Sequence, residues 1–373
     1  MRREAGRGTH SSIDLIAGAR PNFMKLAPVV RALEADGRLA TRIVHTGQHY
    51  DPGMNDVFFE QLRIPAPEVH LEVGSGSHGA QTARILERYE EHLLASRPAA
   101  TVVFGDVNST VACALAAVKL GIPVAHVEAG LRSFDRTMPE EINRLLTDAI
   151  SDLLLVSEPS GVENLQREGI PEGKIELVGN VMIDTLNAEL DAAKALRMPE
   201  RFGLKDGAYG LVTLHRPSNV DAPDTLRHLL DLLGELSREL PLVLPLHPRT
   251  RTAAQRAGLD GRLAGGNRLK VVEPLPYREN LGLMAAAKVV LTDSGGMQEE
   301  TAVLRVPCLT LRENTERPVT LTMGTSRLVG NSSEKIRQGF DDVLAGRWPK
   351  GRPIPLWDGH AGERIAEGIV RWL

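Results

Sequence analysis

The chain alternates short apolar runs with stretches of helical periodicity, and this alternation limits what it can fold into. Residues 13–17 (IDLIA) form an apolar run that ends at a Gly-Ala-Arg-Pro turn, after which apolar residues recur at spacings of three and four through Leu33. Further apolar runs follow at 42–46, 100–104, 124–127 and 153–156. Strands that alternate with helices form parallel sheets covered on both faces. The sequence therefore predicts an α/β fold of doubly wound, Rossmann-like sheets.

The same alternation restarts in the second half of the chain. Strands are predicted there at 210–214, 242–246, 269–272, 289–292 and 306–311. A length of 373 residues is also more than one hydrophobic core usually serves. We therefore predict a disordered tail at 1–12, an N-terminal Rossmann-like domain at 13–180, a C-terminal one at 181–355 and a final helix at 356–373 that crosses back to the first domain.

Composition excludes several classes of protein. The net charge of −4 gives no basic footprint for nucleic acid, and no apolar run approaches the length of a membrane span. The basic start of the chain lacks the apolar core of a signal peptide. Cys113 and Cys308 stand far apart in apolar surroundings, which is typical of buried thiols in a reducing compartment. We expect a cytoplasmic protein that binds neither nucleic acid nor membrane.

Polar side chains follow the predicted strands at the point where each strand ends. In open parallel sheets, ligands bind beyond the carboxyl ends of the strands. Each position alone has an ordinary structural explanation, such as a helix cap or a solvated charge, but their common location favours a ligand site. Two such domains facing each other would bring both sets into one cleft. The positions are Arg20, Gln48, Asp106, Glu128, His215, His247 and the turn Ser294-Gly295-Gly296.

The turn Ser294-Gly295-Gly296 is the strongest anion signal, because glycines let the backbone approach a ligand and a helix start offers N–H donors. Glu300 either accepts bonds from ribose hydroxyls beyond the phosphates or only favours the first helical turn. Arg317 either supplies a cation for a diphosphate or is a solvated loop residue. The chain has no Walker lysine motif, no GxGxxG after its first strand and no spacing typical of a metal site.

The segment after residue 136 predicts a helix with two contrasting sides. Thr137 and Glu140 fit a capping box around Pro139. Glu140 and Arg144 share one side, which faces either solvent or a cleft. Five apolar residues form the opposite stripe: Ile142, Leu145, Leu146, Ala149 and Ile150.

Nearly the whole chain resembles the non-hydrolysing UDP-N-acetylglucosamine 2-epimerases. HVEAGLR, PEEINR and DSGGMQEE, in this order and spacing, are the most specific of the shared motifs. The segments that carry the resemblance are GARPNFMKLAP (18–28), TGQHYD (46–51), GDVNST (105–110), HVEAGLRSFDRTMPEEINR (126–144), GNVMIDTL (179–186), TLHRPSNVD (213–221), LTDSGGMQEE (291–300) and ENTERPVT (313–320).

The resemblance implies a two-domain GT-B fold, with substrate in the cleft between the domains, and a homodimer. It also implies the interconversion of UDP-GlcNAc and UDP-ManNAc without a cofactor, which supplies ManNAc-type sugars for cell-surface polysaccharide. In that reaction UDP leaves by anti elimination to give 2-acetamidoglucal and is added back by syn addition. Removing the C2 proton needs a base, protonation from the other face needs an acid, and the departing UDP needs cations and N–H donors.

Roles are carried over motif by motif. Residues that resemble the catalytic ones are Asp106, Glu128, Glu140, Arg144 and His215. Residues that resemble the UDP-binding ones are Arg20, Lys25, Ser294, Gly295, Gly296, Glu300 and Arg317. Residues near the family's allosteric site are Gln48, Arg84 and His247, although QHYDPG departs from the usual QHRxM there.

Three alternative functions share most of these features. The main one is a GT-B glycosyltransferase that uses a UDP-sugar, which needs one base for an acceptor hydroxyl and not two-faced proton transfer. A 2-epimerase of a UDP-sugar modified at C3 or C6 is the second, and a non-catalytic UDP-sugar sensor is the third.

Overall fold

The computed structural model describes residues 12–47, 61–264 and 268–373, with the backbone alone for Arg20 and Pro21. Most of the predicted tail, and Gln48 with its loop, lie outside the described residues. Contacts between Cα atoms divide the chain into two units, one of Met1–Thr185 with Pro355–Leu373 and one of Leu186–Ile354.

The first unit is built on a parallel sheet, with seven strands in the described part of the chain. Their order is β3-β2-β1-β4-β5-β6-β7, so the winding direction reverses between β1 and β4. The strands are β1 Ser12–Ala17, β2 Ala40–His45, β3 Val69–His70, β4 Ala100–Phe104, β5 Val124–Ala129, β6 Leu153–Val156 and β7 Ile175–Leu177. The helices are Arg20–Asp36, His78–Ser96, Asn108–Lys119, Pro139–Ile150, Pro159–Arg167 and Ala361–Trp372, with Val181–Ala195 continuing into the second unit.

The second unit repeats this plan with six parallel strands among its described residues. Their order is β10-β9-β8-β11-β12-β13, and the reversal lies between β8 and β11. The strands are β8 Gly210–Thr213, β9 Leu242–Pro245, β10 Leu269–Val272, β11 Val289–Thr292, β12 Cys308–Thr310 and β13 Ser326–Leu328. The helices are Met198–Arg201, Pro217–Val220, Pro223–Leu236, Pro248–Arg256, Asp260–Leu263, Tyr277–Ala285, Gly295–Leu304, Val319–Thr322 and Ser333–Leu344.

The final helix, Ala361–Trp372, belongs to the first unit. It packs against the helix Arg20–Asp36, and Gly362 makes this close: a Cβ added there would lie 2.9 Å from Cβ of Pro28. Asp184 accepts hydrogen bonds from the N–H groups of Ala361 and Gly362 at 3.2 and 2.7 Å. The carboxylate thus satisfies N–H groups that a helix start leaves without intrahelical partners.

The predicted fold class, two doubly wound Rossmann-like α/β domains, is confirmed. Sequence reasoning missed β3 and β13, because each has at most three residues and neither is fully buried, so no continuous apolar run marks it. Across the described residues, no helix combines the length and apolar character needed to cross a bilayer.

Candidate active site

The strands β1 and β4 are neighbours where the first sheet reverses its order, and ligands of such sheets bind at this reversal. Asp106 follows β4, and its side chain is 25% exposed. Asn22 accepts from the Ala19 N–H at 2.9 Å and donates to the Phe104 carbonyl at 2.7 Å. These bonds tie the turn after β1 to the end of β4. Arg20 begins the helix after that turn, and its side chain lies outside the described residues.

Glu128 leaves β5 in a bulge. Its φ of 73° is in the left-handed region, and the pairing with β6 shifts register between Val127 and Ala129. Strained residues and bulges of this kind redirect side chains and concentrate at functional sites. Glu128 is 6% exposed, and its Oε2 forms an ion pair with Nζ of Lys25. The same Nζ lies 2.8 Å from where a Cβ on Gly105 would be. Lys25, a predicted UDP ligand, therefore contacts a predicted catalytic carboxylate.

Arg144 faces inward from the helix Pro139–Ile150. It is 2% exposed, its Nη1 contacts Oδ2 of Asp106, and its Nη2 donates to Oε2 of Glu141 at 2.7 Å. Leu146 on the apolar stripe is instead 51% exposed, and Glu140 is also exposed. The alternative of a solvated Glu140–Arg144 pair is therefore wrong. Two carboxylates compensate the buried guanidinium. The polar side of the helix can therefore face the protein interior, whereas the hydrophobic pattern alone would turn the apolar side inward.

The start of this helix also differs from prediction. The capping box at Thr137 is wrong, because Met138 occupies the N-cap position without a side-chain cap. Thr137 instead directs its N–H and hydroxyl to Oδ1 of Asp135, at 3.0 and 2.6 Å. Glu141, two residues after the first helical residue, accepts hydrogen bonds from the N–H groups of Ser133 and Phe134 at 2.9 and 3.0 Å. Burial raises the pKa of Glu141, but the bonds from Ser133 and the charge of Arg144 outweigh it and lower that pKa overall.

A buried network of hydrogen bonds and an ion pair supports the residue that follows β4. His126 lies 2.6 Å from Oδ1 of Asp148 through Nδ1 and 2.8 Å from the Gly105 carbonyl through Nε2. Oδ2 of Asp148 accepts from the Gly130 N–H at 3.0 Å and pairs with Nη1 of Arg132 at 2.7 Å. Burial raises the pKa of Asp148, yet His126 and Arg132 outweigh burial and lower it. The network fixes the residue that precedes the predicted catalytic aspartate.

In the second unit, His215 follows β8 and Asp293 follows β11, the two strands at the reversal of that sheet. Nδ1 of His215 lies 2.9 Å from Oδ1 of Asp293. Asp293 is fully buried, which raises its pKa, but the bond and charge of His215 together with the backbone N–H groups of His215 and Arg216 outweigh burial and lower that pKa overall. The imidazole of His215 remains 36% exposed.

The predicted anion turn is the N-terminus of the helix Gly295–Leu304. Ser294 is its N-cap residue, and a Cβ on Gly296 would meet no atom within 4 Å, so this backbone is open to a ligand. Arg317 is 6% exposed, and its Nη1 lies 2.8 Å from where a Cβ on Gly295 would be. The guanidinium is paired with the carboxylates of Glu299 and Glu316. The negative charge of Glu299, on the helix that begins at the predicted anion turn, is therefore compensated by Arg317.

Glu300 is buried, and its pKa lies above the ordinary value of a glutamate. Burial and the nearby Glu299 raise its pKa to about 7, against the opposing effect of a hydrogen bond from Tyr277. That bond, from the Tyr277 hydroxyl to Oε1, measures 2.8 Å. A carboxyl with this pKa changes its protonation near neutral pH.

Two of the residues predicted for an allosteric site, Arg84 and His247, each form hydrogen bonds with backbone groups close to them in sequence. Arg84, in the first unit, donates to the carbonyls of Val73 and Ser75 at 3.2 Å each and so supports its own loop. His247, in the second unit, is the N-cap of the helix Pro248–Arg256, and its Nδ1 accepts from the Arg249 N–H at 3.1 Å. Gln48 lies outside the described residues.

Sequence reasoning missed three acidic residues of this geometry: Glu141, Asp148 and Asp293. Glu141 stands beside Glu140 in the motif PEEINR, and the doublet itself was a signal that one carboxylate has a structural partner. Asp293 directly follows a predicted strand, like the residues that were singled out. Asp148 offered no such signal, because it lies within the last turn of a helix and does not follow a strand.

The first unit carries two carboxylates and an arginine at the ends of neighbouring strands, and the second carries an open helix N-terminus; these are the features of an enzyme site for an anionic ligand. A family model described as UDP-N-acetylglucosamine 2-epimerase matches residues 31–370. The chain belongs to that family.

Individual relatives agree with the family match. The UDP-N-acetylglucosamine 2-epimerase of Methanocaldococcus jannaschii is 42% identical over 360 residues, covering 95% of this chain and 97% of the relative. Its crystal structure in complex with UDP-GlcNAc and UDP superimposes with a TM-score of 0.90, at 42% identity over 97% of this chain and 100% of that one. The UDP-2,3-diacetamido-2,3-dideoxy-D-glucuronate 2-epimerase of Pseudomonas aeruginosa is 41% identical over 364 residues, or 95% of this chain and 98% of the relative.

Proposed function

We propose that this protein is a UDP-GlcNAc 2-epimerase that interconverts UDP-GlcNAc and UDP-ManNAc by anti elimination of UDP and syn re-addition. Family membership supports this, and one observation carries it: the Asp106–Arg144 pair lies after β4, at the reversal of the first sheet, and the Glu128–Lys25 pair lies at the end of the neighbouring strand β5. Transfer of the sugar to an acceptor hydroxyl would need one base, whereas epimerisation needs proton transfer on both faces of C2.

Each proposed catalytic carboxylate of this group has a cation beside it. Arg144 contacts Asp106, and Lys25 contacts Glu128. The two ion pairs compensate the charges of these carboxylates and hold them at the strand ends. The proposed UDP site uses the N–H groups of Gly295 and Gly296, with Ser294 and Arg20, while Arg317 supports the turn electrostatically.

Incubation of the protein with UDP-GlcNAc alone in D2O tests the proposal. We expect UDP-ManNAc to appear, with deuterium at C2 of both sugars, because the proton removed from C2 exchanges before reprotonation. The sugar signals are followed by NMR, and protein denatured by heat is the control. Bound but unchanged UDP-GlcNAc would contradict the proposal and favour a transferase or a sensor.

A second candidate substrate follows from the Pseudomonas aeruginosa relative. Its identity to this chain, 41%, is almost that of the UDP-GlcNAc enzyme, 42%. The same NMR experiment with UDP-2,3-diacetamido-2,3-dideoxy-D-glucuronate separates the two: a higher kcat/KM for that sugar would replace UDP-GlcNAc as the assigned substrate.

Glu300 is the proposed acceptor of the ribose hydroxyls, and Glu300→Gln tests it. The folded-state pKa of about 7 exceeds the ordinary 4.5, so the folded protein binds more protons than the unfolded chain between these values. Stability therefore falls as pH rises from about 4.5 to about 7. At pH 8 we expect the variant to be more stable than the wild type by up to about 3 kcal/mol, and at pH 4 equally stable.

Although Glu300→Gln should raise stability at pH 8, it should weaken the binding of UDP. The amide has lost one acceptor charge, so we expect UDP to bind about tenfold more weakly, the loss of one charge-assisted hydrogen bond. Thermal unfolding at both pH values, with and without UDP, measures both effects. Glu334→Gln, on an exposed residue of the same unit, is the matched control. Unchanged stability and unchanged UDP affinity would refute the assignment of Glu300.

We also propose a homodimer in the cytoplasm. The exposed Leu146 and Leu94 on helices of the first unit favour association, and the two free, buried cysteines fit a reducing compartment. Sedimentation equilibrium would measure the mass of one chain instead of two if the dimer is wrong.

A further inference from the structure

We propose that Asp293 is a positioning residue that sets the tautomer of His215. This inference rests on the proposed function, for which the family resemblance counts His215 among the catalytic residues. Asp293 directly follows β11 and is fully buried, and its Oδ1 lies 2.9 Å from Nδ1 of His215. A carboxylate at this distance accepts the hydrogen bond, so the proton of the neutral imidazole stands on Nδ1.

The carboxylate cannot easily turn away from the ring. Its Oδ2 accepts from the N–H groups of His215 and Arg216, both at 2.9 Å, and from the side-chain amide of Asn219 at 3.2 Å. Oδ1 faces the imidazole and also accepts from the His215 N–H at 3.2 Å. This arrangement fixes the ring plane and leaves Nε2 as the nitrogen available to a ligand.

His247 provides an internal comparison. Its ring centroid lies 5.3 Å from that of His215, but its Nδ1 accepts a backbone hydrogen bond from Arg249. Nδ1 of His247 therefore carries no proton, and its neutral ring holds the proton on Nε2. The structure thus sets two adjacent histidines in opposite tautomers, one fixed by a carboxylate and the other by a helix cap.

The variant Asp293→Asn tests the inference, because the side-chain amide keeps the shape of the carboxylate while presenting NH2 to the ring. An NH2 group opposite Nδ1 forces the imidazole to accept there and to move its proton to Nε2. We expect kcat for epimerisation to fall about 100-fold or more, since an orienting carboxylate changed to amide leaves the imidazole in the wrong tautomer. UDP affinity should stay within about threefold, less than 1 kcal/mol of binding.

Nitrogen-15 NMR of the histidine side chains gives the direct readout. The His215 signals are identified by their loss in His215→Gln. We expect a protonated Nδ1 in the wild type and a protonated Nε2 in Asp293→Asn, with His247 unchanged in both. Asp221→Asn, the same chemical change at a half-exposed aspartate paired with Arg249, is the control and should alter neither kcat nor the His215 tautomer.

Two results would overturn the inference. One is a wild-type His215 protonated on Nε2, which stands as a test even if Asp293→Asn fails to fold. The other is an Asp293→Asn protein with wild-type kcat. A wild-type protein that leaves UDP-GlcNAc unchanged would instead refute the proposed function, while the tautomer measurement would still decide the role of Asp293.

Discussion

The Asp106→Asn variant should epimerise UDP-GlcNAc about 10³-fold more slowly than the wild type. Asp106 is partly exposed at the reversal of the first sheet, and its Oδ2 contacts Arg144. The amide has nearly the same shape but cannot take up a proton, and losing one general acid or base typically costs 10²–10⁴-fold in rate. Both the loss of UDP-GlcNAc and deuterium entry at C2 are followed by NMR in D2O.

Binding must be measured beside turnover to make this result specific to chemistry. UDP affinity, measured by calorimetry, should be unchanged within about threefold, because Asp106 is not among the proposed UDP ligands. Asp152→Asn is a matched control, since Asp152 is half-exposed and pairs with Lys174 in the same unit. Full turnover by Asp106→Asn would remove Asp106 from the catalytic group.

The strand ends were predictable from sequence, but the partners of their side chains were not. The pattern of apolar runs located β1, β4, β5, β8 and β11, and hence the residues that follow them. Which charge meets which depends on long-range packing that periodicity does not encode. Lys25 is a clear case: it was assigned to UDP by resemblance, and it contacts Glu128 across 103 residues of sequence.

The helix Pro139–Ile150 exposes a limit of hydrophobic periodicity. Its apolar stripe predicts the buried side correctly only where burial is decided by apolar contacts. Here Glu141, Arg144, Thr147 and Asp148 are buried, while Leu146 is exposed. Ion pairs and backbone donors satisfy the buried charges, so the polar side can face inward. A polar stripe of alternating acid and base next to two strand-end carboxylates is the signal that could have indicated this.

Glu140 and Glu141 are adjacent in sequence, but we expect Glu141→Ala to lose stability and Glu140→Ala to lose activity. Glu141 is 1% exposed and accepts hydrogen bonds from Ser133, Phe134 and Arg144. Removing it leaves the guanidinium of Arg144 short of one buried partner, so we expect Glu141→Ala to lower the free energy of unfolding by about 3–5 kcal/mol. Glu140 is exposed, and Glu140→Ala should cost at most about 1 kcal/mol through the helix dipole.

Turnover should distinguish the two variants as well, with Glu140→Ala as the one directly affected. If Glu140 is the catalytic carboxylate that the family motif indicates, Glu140→Ala keeps its stability and loses about 10²-fold or more in turnover. Chemical denaturation and the D2O exchange assay, run on both variants, measure the two effects. A fully active Glu140→Ala, together with an inactive Glu141→Ala of normal stability, would transfer the catalytic role to Glu141. In that case the bond between Glu141 and Arg144 would be part of the proton relay, and not only a support for Asp106.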